Sequence, residues 1–418
     1  MVVQFKHINN NTEIMENPKL ALIPSGYKSG KVYSILPTDG VGDFDYERNG
    51  YASRVRKDGL IEELTVDDTP RLDWLNSDCP SLLLEPQRTN LVQYSEDFNS
   101  WGDSGITVTS NALISPSGDL TADKLQSTAN NWRKSDAYTV TNGAEYSVSI
   151  YAKLDTSTST TTTRIEIYRG VDAIASTFNL STGAISGSIS NTFIEDIGNN
   201  WYRIGGSYVS NGSTNIFYIY PSSGYSNAGT MFFWGAQVEQ GSYPTSYIKT
   251  TSGTVTRQKD FIDGAGSSDL FNSLESTFFV EMASFLNAQT NSNGIELAGV
   301  GSQNRITLQY DTTNNQIRCD VRVLNSAQAI ITTSSFDITN FNKMAITYKL
   351  NEVKFYVNGQ LISTDTSVNT FAPNTLTEVR STIAGISGGA FNLQAKIKDL
   401  RVYNRVLTQA EAIELTTI

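Results

Sequence analysis

Apolar and polar residues alternate along much of this chain, and a period of two is the repeat of a β-strand. In the stretch YSVSIYAKL, one face is formed by Tyr146, Val148, Ile150 and Ala152. The stretches RIEIY, NIFYIYP, NRITLQYD, QIRCDVRVL and KMAITYKL repeat the same alternation. No long stretch shows the spacing of three to four residues that marks an amphipathic helix. The pattern therefore predicts an all-β protein built from antiparallel strands.

Turn signals between these stretches define the predicted elements more closely. Asn358 and Gly359 separate two alternating arms and predict a hairpin with a type I′ turn. The Thr-rich tract at 155–164 has no regular period and predicts a long exposed loop. The sequence TQAE, from Thr408 to Glu411, fits a capping box and predicts one short closing helix. Short strands joined by such turns are typical of β-sandwiches.

The chain is too long for a single hydrophobic core, since 418 residues exceed the size at which one core stops growing. We predict two tandem antiparallel β-sandwich (jelly-roll) domains after an irregular N-terminal attachment region. The predicted segments are an N-terminal docking segment (1–35), an adaptor with short strands and turns (36–92), a first sandwich (93–250) and a second sandwich (251–418). Because the short pieces of the adaptor cannot enclose a core alone, we expect them to pack against a neighbouring domain, another chain or a larger particle.

The stretch SLLLEPQRTNL, at 81–91, begins as a strand and stops abruptly. Pro86 has no backbone N–H and restricts Glu85 to extended conformations, so a central strand cannot continue through it. We interpret the stretch as the junction between the adaptor and the first sandwich. Arg88 and Asn90 are expected to fix the turn there through hydrogen bonds.

Charge and hydropathy argue against two classes of partner. The formal net charge is −11 and the sequence pI is near 4.7. Because duplex binding depends largely on Lys and Arg at phosphates, no nucleic-acid partner is predicted. The N-terminal stretch MVVQFKHINNNTEIM lacks the pattern of a secretory signal, and no apolar run reaches the roughly 20 residues that cross a bilayer. We therefore predict no secretory signal and no membrane insertion.

Residues with catalytic or metal-binding chemistry are sparse. His7 is the single histidine of the sequence, so a Ser/His/Asp triad is not expected. Cys79 and Cys319 give neither a zinc pattern nor a disulfide framework, and strand alternation places Cys319 in a core. Glu281 and Asp320 stand alone on their strands, unlike the carboxylate pair of a glycosidase. We predict no enzyme, no cofactor, no catalytic residue and no metal-ligating residue.

The loop DTTNN, at 311–315, has two interpretations. Its Asp and Asn oxygens are ligands that calcium prefers, and jelly rolls often bind calcium through such residues. The same residues also favour a simple hairpin turn. We prefer the turn.

Aromatic side chains are the candidate ligand contacts, because flat apolar surfaces stack on them. The predicted ligand-binding residues are Trp132, Arg133, Tyr138 and Tyr225. Trp132 lies in the polar segment ANNWRK and has two interpretations, an exposed platform or an anchor tucked into the sandwich. Trp201 and Trp234 lie within strand patterns and are predicted to be core residues.

Motifs in three parts of the chain form recognisable combinations. The adaptor contains PTDG (37–40), RV (54–55), GLIE (59–62) and LLLEPQRTN (82–90), and the first sandwich contains WYRI (201–204) and FWGAQVEQGSYPTSYI (233–248). Together these resemble a module of bacteriophage virion fibres and other appendages that is commonly followed by a carbohydrate-binding-like jelly roll. The stretches KMAITYKLNEVKFYVNGQLIS and IKDLRVYNRVLTQAEAIEL are similar to the central hairpin and the closing strand and helix of concanavalin-like, laminin-G-like jelly rolls.

The resemblance implies a structural phage protein, a head or tail fibre, that is a surface appendage of the virion and is assembled in the host cytoplasm. Its implied partners are other virion proteins, capsid or tail, bound through the N-terminus, and host-surface or mucus glycans bound by the sandwiches. Such fibres are usually homotrimers, in which linked weak sites gain avidity. Two alternatives stay open: a glycan depolymerase on the same scaffold, and a purely structural capsid decoration protein.

Overall fold

The computed structural model describes residues 17–128, 131–224, 227–288, 293–384 and 390–418. Strands dominate these residues and pair in antiparallel sheets, so the predicted all-β fold class is confirmed. Residues 1–16 of the predicted docking segment, with His7, lie outside the described residues, as does Tyr225. Within the described ranges, no helix has the length and apolar character needed to span a membrane.

The N-terminal region, residues 17–90, consists of short strands separated by turns. Its strands are β1 (Leu20–Leu22), β2 (Tyr27–Lys28), β3 (Lys31–Val32), β4 (Phe44–Glu47), β5 (Ala52–Val55), β6 (Ile61–Leu64), β7 (Leu72–Asp73), β8 (Ser81–Leu84) and β9 (Arg88–Asn90). Alternation is clearest in β4, where Phe44 and Tyr46 are buried while Asp45 and Glu47 are exposed.

The first sandwich follows β9. After a 3₁₀ turn (Phe98–Ser100), its strands are β10 (Gly102–Asp103), β11 (Thr107–Ile114), β12 (Leu120–Ser127), β13 (Arg133–Lys134), β14 (Tyr138–Thr139), β15 (Glu145–Leu154), β16 (Thr162–Tyr168), β17 (Ala173–Asn179), β18 (Ile185–Gly187), β19 (Ser190–Asp196), β20 (Tyr202–Val209), β21 (Thr214–Tyr220) and β22 (Gly229–Gln240). One sheet has the order β11-β12-β22-β15-β20-β19, and the other has the order β10-β13-β21-β16-β17-β18 with β14 beside β21. Val148 and Ile150 of the first sheet share a core with Ile165 and Ile167 of the second.

The C-terminal sandwich contains the remaining elements. They are β23 (Val255–Arg257), β24 (Phe261–Asp263), β25 (Ser276–Ser284), β26 (Asn293–Ala298), a 3₁₀ turn (Val300–Ser302), β27 (Arg305–Tyr310), β28 (Ile317–Val323), β29 (Ser326–Thr333), β30 (Asn342–Lys349), β31 (Glu352–Val357), β32 (Gln360–Asp365), β33 (Glu378–Arg380), β34 (Thr382–Ala384), β35 (Ala390–Asn392), β36 (Ala395–Tyr403) and the helix α1 (Gln409–Thr416).

Strands of the N-terminal region complete a sheet of the C-terminal sandwich. That sheet has the order β32-β31-β30-β25-β36-β8-β7, and β1 also pairs with β36. The facing sheet has the order β29-β28-β27-β26-β33. Leu20, Leu82 and Leu84 are fully buried in the same core as Phe278 and Val280 of β25. The N-terminal region and the C-terminal sandwich therefore share one hydrophobic core.

The first sandwich is an insertion between these two parts of the shared core. β9 carries the chain into it and β23 carries the chain out, and the two strands pair antiparallel from Arg88↔Arg257 to Asn90↔Val255. Asn90 is fully buried and donates its amide to the carbonyls of Ala236 and Ile248. The stretch that follows Pro86 is thus one of two paired strands that connect the sandwiches.

Buried charges hold the junction between the three parts together. The junction cluster consists of Arg48, Arg71, Glu85, Arg257 and Asp260. Glu85 Oε2 accepts hydrogen bonds from Arg71 Nη1 at 2.5 Å and from Arg257 Nη1 at 2.6 Å. Asp260 pairs with Arg71 and also with Arg48, at 3.4 Å. Although burial alone would raise it, the guanidinium groups of Arg257 and Arg71 hold the pKa of Glu85 well below its ordinary value of 4.5.

The outer face of the first sandwich's first sheet is covered by the N-terminal region. Trp201, Trp234, Tyr151 and Tyr247 form a buried cluster with Ile61 of β6. The indole Nε1 of Trp234 donates to Thr121 Oγ1 at 3.1 Å. The prediction that both tryptophans are core residues is confirmed, and the predicted neighbour of the adaptor includes the two sandwiches of the same chain.

Local signals in the sequence match the structure with one exception. Asn358 and Gly359 both have positive φ, 47° and 76°, and join β31 to β32 as the type I′ turn requires. Thr408 caps α1 in a full capping box with Glu411. The loop in the Thr-rich tract is shorter than predicted, because the last residues of the tract belong to β16 and Thr163 is fully buried.

Candidate functional site

The second sheet of the first sandwich presents aromatic and charged side chains on its outer face. Ile165 and Ile167 of β16 point into the core, so Arg164 and Glu166 point outward. On the neighbouring strand β21, the same alternation turns Tyr218 outward. We call this surface the aromatic face; its residues are Trp132, Lys134, Arg164, Glu166, Tyr168, Tyr218 and Tyr220.

Tyr218 lies at the centre of the aromatic face. Its cross-strand neighbours are Glu166 on one side and Lys134 on the other. The ring of Trp132 contacts that of Tyr218 edge to face, with ring centroids 5.4 Å apart and an interplanar angle of 81°. Lys134 Nζ lies 5.3 Å from the centre of the Trp132 ring. All four side chains are only half-buried, so part of the two rings is open to solvent.

A charged pair lies beside these rings. Arg164 Nη2 donates to Glu166 Oε2 at 2.8 Å, and its guanidinium carbon lies 5.8 Å from the centre of the Tyr220 ring. Burial and the nearby Glu166 carboxylate raise the pKa values of the Tyr220 and Tyr218 hydroxyls above their ordinary value of 10.0. Both phenols therefore remain protonated at neutral pH and can donate a hydrogen bond.

The aromatic face combines two kinds of contact that a polyhydroxylated ligand needs. The rings of Trp132 and Tyr218 offer flat apolar surface to the C–H groups of such a ligand. Lys134 and Arg164 offer charged donors, and Glu166 offers a carboxylate acceptor, for its hydroxyl groups. The face thus has the chemistry to orient a sugar ring through stacking and charge-assisted hydrogen bonds.

The predicted ligand-binding residues take different positions in the structure. Trp132 lies on the aromatic face. Arg133 points the other way, is buried, and its Nη1 donates to Asp103 Oδ2 at 2.5 Å. Tyr138 is also buried, and its hydroxyl lies 3.1 Å from that of Tyr208. Of these three residues, Trp132 alone contributes to the aromatic face, where its half-buried ring packs against Tyr218.

The residues that complete the aromatic face were not predicted from the sequence. The alternating stretches RIEIY and NIFYIYP did indicate such a surface, because the residues between the core positions of a strand must lie on the outer face of the sheet. Glu166 and Tyr218 occupy such positions. Their pairing across β16 and β21 depends on sheet register, which these separate stretches do not specify.

Several carboxylates of the C-terminal sandwich are engaged by arginines. Glu296 is fully buried and lies 3.1 Å from Arg380 Nη2. Asp320 lies 2.7 Å from Arg318 Nη2 and 3.0 Å from Arg322 Nε. Both carboxylates are thus bound within the fold by arginines, although burial still raises the pKa of Glu296 above its ordinary value of 4.5.

The DTTNN loop and the cysteines also have structural surroundings. Asp311 lies 3.3 Å from Arg318, and Asn315 adopts a φ of 55° in the turn that joins β27 to β28. Cys319 is fully buried as predicted, whereas Cys79 is exposed. In the part of the chain that the structure describes, no group of three or more His, Cys, Asp or Glu residues is placed to hold a metal ion.

Comparison with protein families identifies the fold of the C-terminal sandwich. Residues 277–412 match the model of the Laminin_G_3 family, described as the concanavalin A-like lectin/glucanases superfamily. The match runs from β25 into α1, and this part of the chain is a concanavalin-like jelly roll. No curated protein matches the sequence.

Solved structures of carbohydrate-binding domains and a pentraxin are similar to parts of the chain. The Ruminococcus gnavus IT-sialidase CBM40 bound to alpha2,3 sialyllactose has a TM-score of 0.31 and 16% identity, over 37% of this chain and 88% of that chain. Domain 4 of AbnA, an extracellular GH43 arabinanase from Geobacillus stearothermophilus in complex with arabinotriose, has a TM-score of 0.30 and 14% identity, over 42% and 83%. A heptameric SAP-like pentraxin from Limulus polyphemus has a TM-score of 0.30 and 14% identity, over 35% and 71%.

Proposed function

We propose that the protein is a non-enzymatic, glycan-binding component of a bacteriophage virion, a head or tail fibre that acts as a homotrimer. The aromatic face is the observation that carries the glycan-binding part of this proposal. It places Trp132 and Tyr218 beside a cation and a carboxylate on a sheet surface that is partly open to solvent. A saccharide stacks on the two rings, and Lys134, Arg164 and Glu166 bind its hydroxyl groups.

Binding without chemistry is supported by the arginine contacts of three buried carboxylates. A glycosidase uses two carboxyl groups that flank the scissile bond and exchange protons with it. Glu85, Glu296 and Asp320 are instead paired with arginines. The pKa of Glu85 lies below its ordinary value of 4.5, so this carboxyl stays ionised at neutral pH. In all three cases the arginines engage oxygens that a general acid would present to the leaving group.

The virion part of the proposal is supported by the motifs of the N-terminal region, PTDG, GLIE and LLLEPQRTN. Attachment to the particle is assigned to the extreme N-terminus. β1 is not available for it, because Leu20 and Leu22 are fully buried in the shared core and pair with β36. A deletion that tests attachment must therefore keep β1.

Glycan binding is tested by substitution on the aromatic face. The full chain is screened on a glycan array, and the affinity for the best monovalent oligosaccharide is measured by titration calorimetry. Trp132→Ala and Tyr218→Ala each remove a stacking surface worth about 0.5–1.5 kcal/mol, so each should weaken binding by about 2- to 10-fold. Trp74→Ala is the matched control, since Trp74 is a half-buried tryptophan of the N-terminal region.

Two results would contradict glycan binding by this face. One is an array on which the wild-type chain binds no glycan. The other is an unchanged affinity of both face variants, with melting temperatures equal to that of the wild type.

Virion attachment is tested by deleting residues 1–16, which leaves all described strands in place. The truncated chain should keep the melting temperature of the full chain and be lost from purified particles. Incorporation at the wild-type level would refute attachment through this segment.

A further inference from the structure

A cavity of about 600 Å³ lies where the three parts of the chain meet. Strands β5 to β8 form one wall, β15, β19 and β20 with the segment after β22 form another, and residues of the C-terminal sandwich form the third. Its volume falls within the roughly 300–1,000 Å³ of typical small-molecule sites. Junctions between domains are common places for such sites. The cavity shares no residue with the aromatic face.

Stacked aromatic rings form part of the cavity wall. Tyr243 of the first sandwich and Phe285 of the C-terminal sandwich lie 5.4 Å apart between ring centroids, with an interplanar angle of 13°. The guanidinium carbon of Arg88 lies 5.5 Å from the centre of the Tyr243 ring. The Tyr243 ring is thus held between two neighbours, which fixes the position of its hydroxyl.

Two polar atoms of the lining are buried without a hydrogen-bond partner among the described residues. One is the hydroxyl of Tyr243. The other is Nε of Arg203, whose Nη2 is engaged by Thr245 O at 2.6 Å and Ser149 Oγ at 3.0 Å. Arg203 is only 8% exposed. Burying an unsatisfied polar group destabilises a protein, so both side chains would gain from a partner supplied by a ligand in the cavity.

The charges around the cavity balance. Three cations (Arg54, Arg203 and Lys396) and three carboxylates (Asp73, Glu85 and Glu195) line it. Glu85 is already paired with Arg71 and Arg257, and Arg54 with Glu62, so these two serve the protein itself. Of the remaining groups, Arg203, Lys396 and Glu195 offer donors and an acceptor, while Asp73 already accepts the backbone N–H groups of Val55 at 2.9 Å and Leu75 at 3.4 Å. A ligand that matches them is electrically neutral and carries groups that both donate and accept, as hydroxyl groups do.

We propose that this cavity is a second binding site, which takes a small neutral saccharide, a monosaccharide or a disaccharide. Apolar C–H faces of the sugar contact the Tyr243 and Phe285 rings. Its hydroxyls accept from Arg203 Nε and Lys396, donate to Glu195, and pair with the Tyr243 hydroxyl. Because all three parts of the chain contribute, binding also holds them together and raises the melting temperature.

The test uses the full chain with Trp132→Ala and Tyr218→Ala, so that the aromatic face does not contribute. Glucose, galactose, N-acetylglucosamine, lactose and maltose are the probes, measured by saturation-transfer NMR and calorimetry. We expect at least one probe to bind. Tyr243→Phe removes only the unpartnered hydroxyl and Glu195→Gln only the carboxylate charge, and each should weaken that binding at least fivefold.

Tyr356→Phe is the matched control for Tyr243→Phe. The Tyr356 hydroxyl is also buried without a partner among the described residues, but it lies outside the cavity. Both Tyr→Phe variants should melt at or above the temperature of their parent, and Tyr356→Phe should keep the parent affinity. The proposal is overturned if no probe binds, or if Tyr243→Phe and Glu195→Gln both bind as the parent does.

The two sites are distinguishable by the same measurements. If the aromatic face does not bind glycans, its variants bind them as the wild type does, while the cavity variants still bind their saccharide probe more weakly. If the cavity does not bind saccharides, the wild type keeps the glycan binding that depends on Trp132 and Tyr218, and the cavity substitutions do not change any measured affinity. If the double variant does not fold, the Tyr243→Phe and Tyr356→Phe variants are compared in the wild-type chain, without the two substitutions on the aromatic face.

Discussion

Glu85 connects the three parts of the molecule through its side chain. It accepts from Arg71 of the N-terminal region, from Arg257 at the exit of the first sandwich, and from Ser246 Oγ at 2.7 Å. Its backbone N–H donates to Asp260 Oδ2 at 2.9 Å. A buried carboxylate of this kind compensates two buried guanidinium groups, so its removal leaves positive charge unpaired.

We predict that Glu85→Gln destabilises the full chain by about 3–5 kcal/mol, the usual cost of removing one partner from a buried ion pair. Urea unfolding at pH 7 measures this free energy. Glu352→Gln is the control: Glu352 pairs with Lys349 and Lys354 at the surface, where such pairs contribute about 0–1 kcal/mol. Equal unfolding free energies for the two variants would contradict the role assigned to Glu85.

The same carboxylate predicts a pH dependence of stability. The folded pKa of Glu85 lies below its ordinary value of 4.5. A lowered folded pKa contributes stability that is fully present above the unfolded pKa and is lost as pH falls through the folded value. Wild-type stability should therefore fall below about pH 4.5 more steeply than that of Glu85→Gln. Parallel pH profiles of the two unfolding free energies, measured from pH 6 to pH 3, would refute this.

Sequence alone anticipated part of the junction. Pro86 correctly predicts the end of β8. Arg88 and Asn90, which were expected to fix a turn, instead lie in the strand β9, from which Asn90 donates to the carbonyls of Ala236 and Ile248. The partners of Glu85 could not be predicted, because Arg257 is 172 positions away along the chain. Pairings of that kind are set by the tertiary fold and leave no local pattern.

Single elements were predictable wherever their signal is local. The turn at Asn358 and Gly359, the cap at Thr408 and the core face of β15 all follow from short-range rules of backbone geometry and alternation. The pairing of β9 with β23 has no such signal, since Thr89 and Thr256 are 167 positions apart. The cover over the outer face of β15 was missed for the same reason, because Ile61 reaches it from another part of the chain.

We predict that removing the cap of α1 destabilises the C-terminal sandwich. Thr408 Oγ1 accepts from the Glu411 backbone N–H at 3.3 Å, and the Glu411 carboxylate accepts from the Thr408 N–H at 2.7 Å. Thr408→Ala should destabilise the C-terminal sandwich by about 1 kcal/mol in urea unfolding, because one orphan N–H of the helix loses its partner. Thr364→Ala, at an exposed position of β32, is the control and should change stability by less than half as much. A larger effect at Thr364 would contradict the assigned cap energy.

The whole molecule is built from a shared core and an inserted sandwich. The first sandwich has its own core, whose residues lie between Val92 and Val238. The C-terminal core does not close by itself, because Phe44, Leu72 and Leu82 of the N-terminal region are buried in it. A domain boundary between the N-terminal region and the C-terminal sandwich would therefore separate strands that belong to one sheet.

This arrangement predicts different behaviour for two fragments. A fragment of residues 88–257 keeps β9, β23 and the complete first core, and should unfold cooperatively in urea by itself. A fragment of residues 251–418 exposes the side of its sheet that β1 and β8 cover, so it should aggregate or unfold at lower urea than the full chain. Co-expression with residues 17–87 should restore its solubility, because that segment supplies the missing strands. A 251–418 fragment that unfolds at the urea midpoint of the full chain would show that the shared core is dispensable, and the N-terminal strands would then stabilise the junction alone.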